Sequence, residues 1–575
     1  MKKFHLLCCT MALMATLAGT ATAAPRAEIT DVFSRHGMVS SAHELASKAG
    51  VEIMQKGGNA VDAAVATALA LNVVEPNASG IGGGGFMTVR FAETGEVVVI
   101  DYRETAPKSS TKDMYASEEA KEKKISKLGG LSIAVPGQTL GLWTALTKYG
   151  TMTWAEVAAP AIRLAEEGFV LVPMQNDIIK DNMEKLTDYN DIANVAFLDV
   201  EGFPLQAGDI VKQPKLAEAF KLIGEKGPRK AFYDGPIGKA VVEAVNKAGG
   251  NMALADLKEY DVAIRKPVRG TYRGYEIFSC PPASSGGTHI VELLNIMENL
   301  PVGGWIANGP EYLHYLGESL KLVFADRQKY MGDTAFLNVP LAGLTSKAYA
   351  KTLFERIKPY EVMEKVEPGD PWPYDSEANK TAYIGDAVSE QVSTTHFSVV
   401  DQRGNIVSST NTVNYFFGSG VMVPEYGFVL NNQMDDFSQN PESVNAPEPG
   451  KRPLSSMSPT IVLDPQGQPF MTVGAAGGWR IITTVGQLIM NVIDFGMTMD
   501  QAIEQPRAHA HANDGKASRL QIENFIDPET VIFLNMRGHD VETVSHIGTA
   551  QGILFKGGMM NGGADSRRLG VSVGF

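Results

Sequence analysis

Ser393-Thr394-Thr395-His396-Phe397-Ser398-Val399-Val400-Asp401 is followed by Gln402-Arg403-Gly404 and then by Asn405 to Asn414, a run rich in Val, Ser and Thr. β-Branched residues favour strands. A three-residue loop with glycine last is a common hairpin connection, because the last loop position needs a positive φ. The stretch therefore predicts two antiparallel strands with Asp401 facing Asn405 and Thr394 facing Thr412. Asn414 would lie just past the end of the facing strand. A hydroxyl at a strand start, opposite another hydroxyl, suits a nucleophile if the chain is cut before Thr394, since the freed α-amine would serve as its general base. Taken alone, an ordinary Thr-rich hairpin explains the same residues.

The rest of the chain bounds the problem. It has 575 residues, 44% hydrophobic and 20% charged, with a net charge of −14. That composition supports a large globular core. After Lys2-Lys3 there is no basic run, so nucleic-acid binding is not expected. Lys2-Lys3, the apolar stretch Phe4 to Ala18 and Ala21-Thr22-Ala23 read as a secretory signal with its cleavage site, residues 1–24. The apolar run is short for a membrane anchor, and no membrane span is expected once the signal is removed. Export, most simply to the periplasm, follows. Cys8 and Cys9 fall in the signal, leaving Cys280. No disulfide or thiolate metal cluster is expected, and Cys280 reads as a buried structural thiol rather than a nucleophile.

Along the chain, His43 to Lys56 has a helical pattern ending at Gly57-Gly58, and Asn59 caps a second helix with Asp62 at its third position. Strand patterns follow at Phe86 to Ala92 and Val97 to Asp101, then a mainly helical region from 140 to 260. Further helices are expected at Thr288 to Asn299 and about Glu311 to Met331. Residues 366–393 are polar and rich in breakers. They read as a mobile loop ending at Thr394, as a self-cutting precursor would need.

Several segments could carry chemistry. The glycines 82–85 lack the Lys-Ser/Thr of a phosphate loop and precede a strand, which leaves close backbone packing. His509-Ala510-His511 has metal-ligand spacing but no third ligand nearby in sequence, so no metal is expected. Arg103, after a strand, has the fork geometry for a carboxylate. Asn431 to Phe437 gathers amides and carboxylates that could hold an ammonium group. Ser455-Ser456 offers two hydroxyls. Gly477-Gly478, ahead of an apolar helix, offers unhindered N–H groups of the kind that make an oxyanion hole.

Together the segments Gly57 to Ala64, Gly82 to Phe86, Asp101 to Glu104, Ala134 to Gly137, Pro281 to Gly287, Phe324-Ala325-Asp326-Arg327, Gly332-Asp333, Thr394-Thr395-His396, Asn431 to Phe437, Arg452 to Pro459 and Gly477-Gly478 closely resemble the γ-glutamyltranspeptidase family of N-terminal-nucleophile hydrolases. They occur in the family's order over nearly all of the mature chain. The resemblance implies an α+β fold, a four-layer αββα sandwich made as one precursor. The precursor would cut itself between Ser393 and Thr394 into interlaced subunits, 25–393 and 394–575. It further implies that Thr394 attacks the γ-glutamyl amide of glutathione-like donors and that water, amino acids or peptides accept the acyl group, with no cofactor. Thr412 would orient Thr394, in agreement with the register above. Gly477 and Gly478 would supply oxyanion N–H groups. Arg103 with Ser455 and Ser456 would hold the donor α-carboxylate, and Asn414, Gln433 and Asp436 its α-ammonium.

Two departures bear on substrate choice. Residues 438–450 are short where many relatives carry a longer lid, which makes larger γ-glutamyl substrates plausible. Ala475-Ala476 and Trp479 stand where relatives usually carry Ser-Pro and Ser. The competing readings are a related cephalosporin or glutaryl acylase, for which an ammonium clamp is useless, and a periplasmic binding protein with a decayed site.

Overall fold

The computed structural model describes residues 30–376, 393–513 and 515–575. The signal expected at 1–24 lies outside the described residues, and so does most of the loop preceding Ser393.

The quoted stretch forms the centre of a seven-stranded antiparallel sheet. Strands Ser393–Val400 and Ile406–Asn414 pair as a hairpin, and Gly404 has φ 82° at the turn. The order across this sheet is Val571–Gly574, Met38–Ser41, Ser393–Val400, Ile406–Asn414, Gly84–Arg90, Val97–Asp101, Ala263–Arg265. A second seven-stranded sheet runs Val32–Ser34, Met559–Ala564, Thr549–Lys556, Pro469–Ala476, Thr460–Leu463, Tyr275–Ser279, Val268–Tyr272. Both sheets draw strands from either side of the 393–394 bond. Neither part of the chain could complete a sheet alone.

The central hairpin lies against strands Pro469–Ala476 and Thr549–Lys556 of the second sheet. The alternation of side chains decides what each face meets. Phe397, Val399 and Val407 join a core with helices Glu44–Gln55 and Ala60–Val74, while Val462, Met471 and Val473 join another with Gly286–Met297 and Arg480–Ile493. Helix Ala60–Val74 is buried along its whole length, which its run of Ala, Val and Leu permits, and Asn59 and Asp62 form the expected capping box. A cap of this kind contributes about 1 kcal/mol. The close packing expected of the glycine run is real: a Cβ on Gly83 would stand 2.0 Å from the Thr412 carbonyl oxygen.

Residues 366–376 are not the loose segment expected from composition. Val366 and Trp372 are buried in the second core. Trp372 meets Tyr330 edge to face, and the Asp375 carboxylate accepts from the Ala342 and Gly343 amides. One tryptophan and one capping carboxylate outweigh the breakers around them.

Candidate active site

Thr394 enters the site through an irregularity that the simple hairpin register does not contain. From Thr395–Asn411 to Val400–Ile406 the pairing is as expected, but Ser393 faces Asn414, so the ladder shifts at Thr394. The expected hydroxyl pair still forms. Thr394 Oγ1 and Thr412 Oγ1 are 3.1 Å apart. Both also reach the carbonyl oxygen of Ser393, Thr394 at 2.7 Å and Thr412 at 2.9 Å. The Thr412 hydroxyl is held in turn by the Asn414 amide, at 2.8 Å. On the other side the Thr394 carbonyl accepts from Arg568 Nη1 at 2.8 Å. This arrangement fixes both sides of one peptide bond and places a hydroxyl against its carbonyl.

Behind Thr394 a polar ladder fills the space between the sheets. His396 meets Thr410 Oγ1 at 2.8 Å and Ser398 Oγ at 3.2 Å, and Ser398 reaches Thr472 Oγ1 of the facing sheet at 3.3 Å. Burial pushes the His396 imidazole down to about 3, so it is a neutral hydrogen-bonding spacer at working pH. Thr395 points to the other side of the sheet, beside Glu75 at the end of helix Ala60–Val74.

In front of Thr394 is a small cavity lined by Arg103, Gln433, Asp436, Ser455, Ser456 and Gly478 together with Thr412. Arg103 follows strand Val97–Asp101, as expected, and is 1% exposed. Its Nη2 donates to Asp436 Oδ2 at 2.5 Å, and Gln433 Nε2 donates to the same oxygen at 2.7 Å. The Gln433 Oε1 atom is buried without a partner, an open acceptor in a cavity that already holds a carboxylate. A charged donor would satisfy both.

Two expected residues do not themselves line this cavity. Asn414 adopts φ 78°, a left-handed turn that asparagine tolerates, and its amide donates to the Asn432 carbonyl. Gly477 lines a wider neighbouring cleft with Ser393, Lys185, Phe416 and Arg480. Gly477 and Gly478 have φ 129° and 61°. Only glycine takes these values without strain, and the pair stands at the head of helix Arg480–Ile493. Neither of their amides donates to a backbone carbonyl among the described residues. Amides in that position favour negative charge.

Sequence reasoning passed over two groups. Arg327, at the end of helix Pro310–Tyr330, lines the cavity beside Trp479. Glu104 is fully buried, its carboxylate oxygens accept no hydrogen bond among the described residues, and one of them pairs with Arg103 Nη1 at 3.7 Å. Burial raises its carboxyl to about 7, against the pull of Arg103. Glu104 adjoins a residue singled out in the sequence, but nothing there announced its burial.

The remaining candidates are structural. Cys280 is a buried free thiol whose ionisation burial strongly disfavours. His509 bonds to Thr483, its ring is 5.4 Å from that of His511, and no group of three metal-binding side chains occurs among the described residues. None of residues 438–450 lines the cavity.

Comparison with known proteins agrees along the whole length. The family profile described as Gamma-glutamyltranspeptidase matches residues 46–575. A glutathione hydrolase proenzyme of Bacillus subtilis is 40% identical over 548 residues, covering 94% of this chain and 92% of the relative. A protein of the same description from Escherichia coli is 38% identical over 557 residues, with coverage of 94% and 92%. A cephalosporin acylase from Bacillus halodurans has a similar solved structure, with TM-score 0.82 and 28% identity over 96% of this chain and 97% of that one. With a mixed α/β fold of two packed sheets and this match in sequence, the chain belongs to the γ-glutamyltranspeptidase family.

Proposed function

We propose that this protein is an exported γ-glutamyltransferase and glutathione hydrolase whose single chain cuts itself before Thr394. The observation that carries the reading is the position of Thr394 Oγ1, 2.7 Å from the Ser393 carbonyl oxygen and on the wall of the cavity that holds Arg103, Gln433 and Asp436. One hydroxyl thus faces first its own peptide bond and then a donor. The helix–sheet–sheet–helix packing is read as the αββα sandwich of N-terminal-nucleophile hydrolases, with subunits 25–393 and 394–575 interlaced through both sheets.

In maturation, Thr394 Oγ1 adds to the Ser393 carbonyl carbon while Thr412 donates to its oxygen. The C–N bond breaks, the Thr394 nitrogen takes the proton, and water hydrolyses the resulting ester to leave Ser393 as a carboxylate. The new α-amine, with an ordinary pKa of about 7.7–8.0, then accepts the Thr394 proton in each turnover. The donor's γ-carbonyl carbon bonds to Oγ1, the amine product leaves with a proton, and water or an acceptor amine takes the acyl group. The Gly478 amide, with that of Gly477, faces the developing oxyanion. Arg103, Ser455 and Ser456 hold the α-carboxylate, and Asp436 and Gln433 hold the α-ammonium.

The basic and apolar leader with its A-x-A site supports export. No described helix is long and apolar enough to cross a membrane. A cephalosporin or glutaryl acylase is the second reading, favoured by the similar acylase structure. The open Gln433 oxygen beside Asp436 favours γ-glutamyl, because a glutaryl group has no amine to meet them. Rates on γ-glutamyl and glutaryl p-nitroanilides decide between the two, and faster release from the glutaryl compound would reverse the assignment.

A further inference from the structure

Three charged side chains line the Thr394 cavity: Arg103, Arg327 and Asp436. Asp436 is already paired with Arg103. Arg327 has no carboxylate within ion-pair distance among the described residues, although it is only 2% exposed. Its Nε donates to Ser285 Oγ at 2.9 Å and its Nη2 to Ser456 Oγ at 3.0 Å. Its Nη1 donates to no described protein group. The guanidinium also sits 5.7 Å from the ring of Trp479, which itself lines the cavity next to Gly478.

An unpaired cation is costly to bury, and hydroxyls and an aromatic face compensate it only in part. They do fix its direction: two of the three nitrogens are tied down, and the third has no acceptor among the described residues. The charge count points the same way. A donor's ammonium would compete with Arg103 for Asp436. The cavity would then present two guanidinium groups to one α-carboxylate.

We propose that Arg327 is a second carboxylate-binding residue of the acyl site, joining Arg103 on the donor's α-carboxylate, with Ser456 shared between protein and ligand and Trp479 packed beside the guanidinium. This assignment deepens the γ-glutamyl reading and rests on it. It makes the α-carboxylate a stronger determinant than a single arginine would.

The test compares wild-type protein with Arg327→Met and Arg327→Lys on two donors, γ-glutamyl-p-nitroanilide and 4-aminobutyryl-p-nitroanilide, which keeps the amine and lacks only the α-carboxylate. Maturation is followed on a denaturing gel. The expected result is a drop of about 100-fold in the ratio of kcat/KM between the two donors for Arg327→Met, mainly through KM for the γ-glutamyl compound. Arg327→Lys, which keeps the charge and loses the fork, should lower the ratio about 10-fold, and it carries the test if the methionine variant fails to mature. A ratio within threefold of wild type, or a parallel loss on both donors, would overturn the role of Arg327 while leaving the γ-glutamyl reading intact. Wild-type protein that is inert on γ-glutamyl-p-nitroanilide and not stabilised against heat by L-glutamate would overturn both.

Discussion

The space between the two sheets is filled in two unlike ways. At one end Met38, Val400, Ile406, Ile461, Leu463, Ile553 and Met560 form an apolar cluster. At the other end strands of the same two sheets present two hydrogen-bonded groups, Thr394 with Thr412 and His396 with Thr410, Ser398 and Thr472. Apolar contact is non-directional and tolerates small shifts. A hydrogen-bonded hydroxyl is directional and is held at the distance and angle its partner sets. The contrast teaches that one end of the paired sheets is held by apolar contact while the other holds the Thr394 hydroxyl in a set direction.

Mutations can break this division of labour. The largest effect is expected from Thr394→Ala, which should leave one uncut band and lower activity by about 10⁴-fold or more; a denaturing gel and amine release from γ-glutamyl-p-nitroanilide check it. Asp436→Ala should lower kcat/KM on that donor by about 10²- to 10³-fold through a lost charged hydrogen bond, with a much smaller loss on glutaryl-p-nitroanilide. At the apolar end, Ile553→Ala should cost about 2–4 kcal/mol in urea unfolding and change kcat less than twofold. If kcat fell as steeply as stability, the two ends would not be independent.

Glu104 sharpens the comparison by pH. Its carboxyl rises from an ordinary value near 4.5 to about 7 in the folded chain. A raised acid stabilises the fold below its ordinary value, and that contribution is lost as pH rises through 7. Glu104→Gln should therefore flatten the fall in melting temperature between pH 5 and 8 and be the more stable protein at pH 8, by about 2 kcal/mol. The smallest effect is expected from Ser398→Ala, about 1 kcal/mol. That variant should leave the pH profile of kcat in place, since His396 stays neutral well below the assay range.

The hairpin was legible because its information is local. Turn chemistry set the register, and the period of two put Thr394 and Thr395 on opposite faces. The capping box at Asn59 and the strand before Arg103 were legible for the same reason. The shift at Thr394 was not, because it depends on the left-handed turn at Asn414 and on how the strand meets Ser393. That one residue of slip keeps the hydroxyl pair and brings Asn414 opposite Ser393. The segment Phe324 to Arg327 was singled out in sequence, but the place of Arg327 in the cavity was not legible, for another reason. A helical pattern gives a residue its face but not the distant loop it meets, and here the helix end reaches Ser285 and Ser456, 42 and 129 residues away in sequence. The order of strands in the sheets was equally out of reach, since Met38–Ser41 pairs with Val571–Gly574 from the far end of the chain.

The central claim is that the peptide bond between Ser393 and Thr394 is the first substrate of the Thr394 hydroxyl. Intact mass measurement of purified wild-type protein tests it most directly. The account predicts two fragments, the smaller beginning at Thr394 and ending at Phe575 and making up about one-third of the mature residues, and a single full-length mass for Thr394→Ala. A wild-type chain that stays whole while releasing amine, or a cut at any other bond, would contradict it.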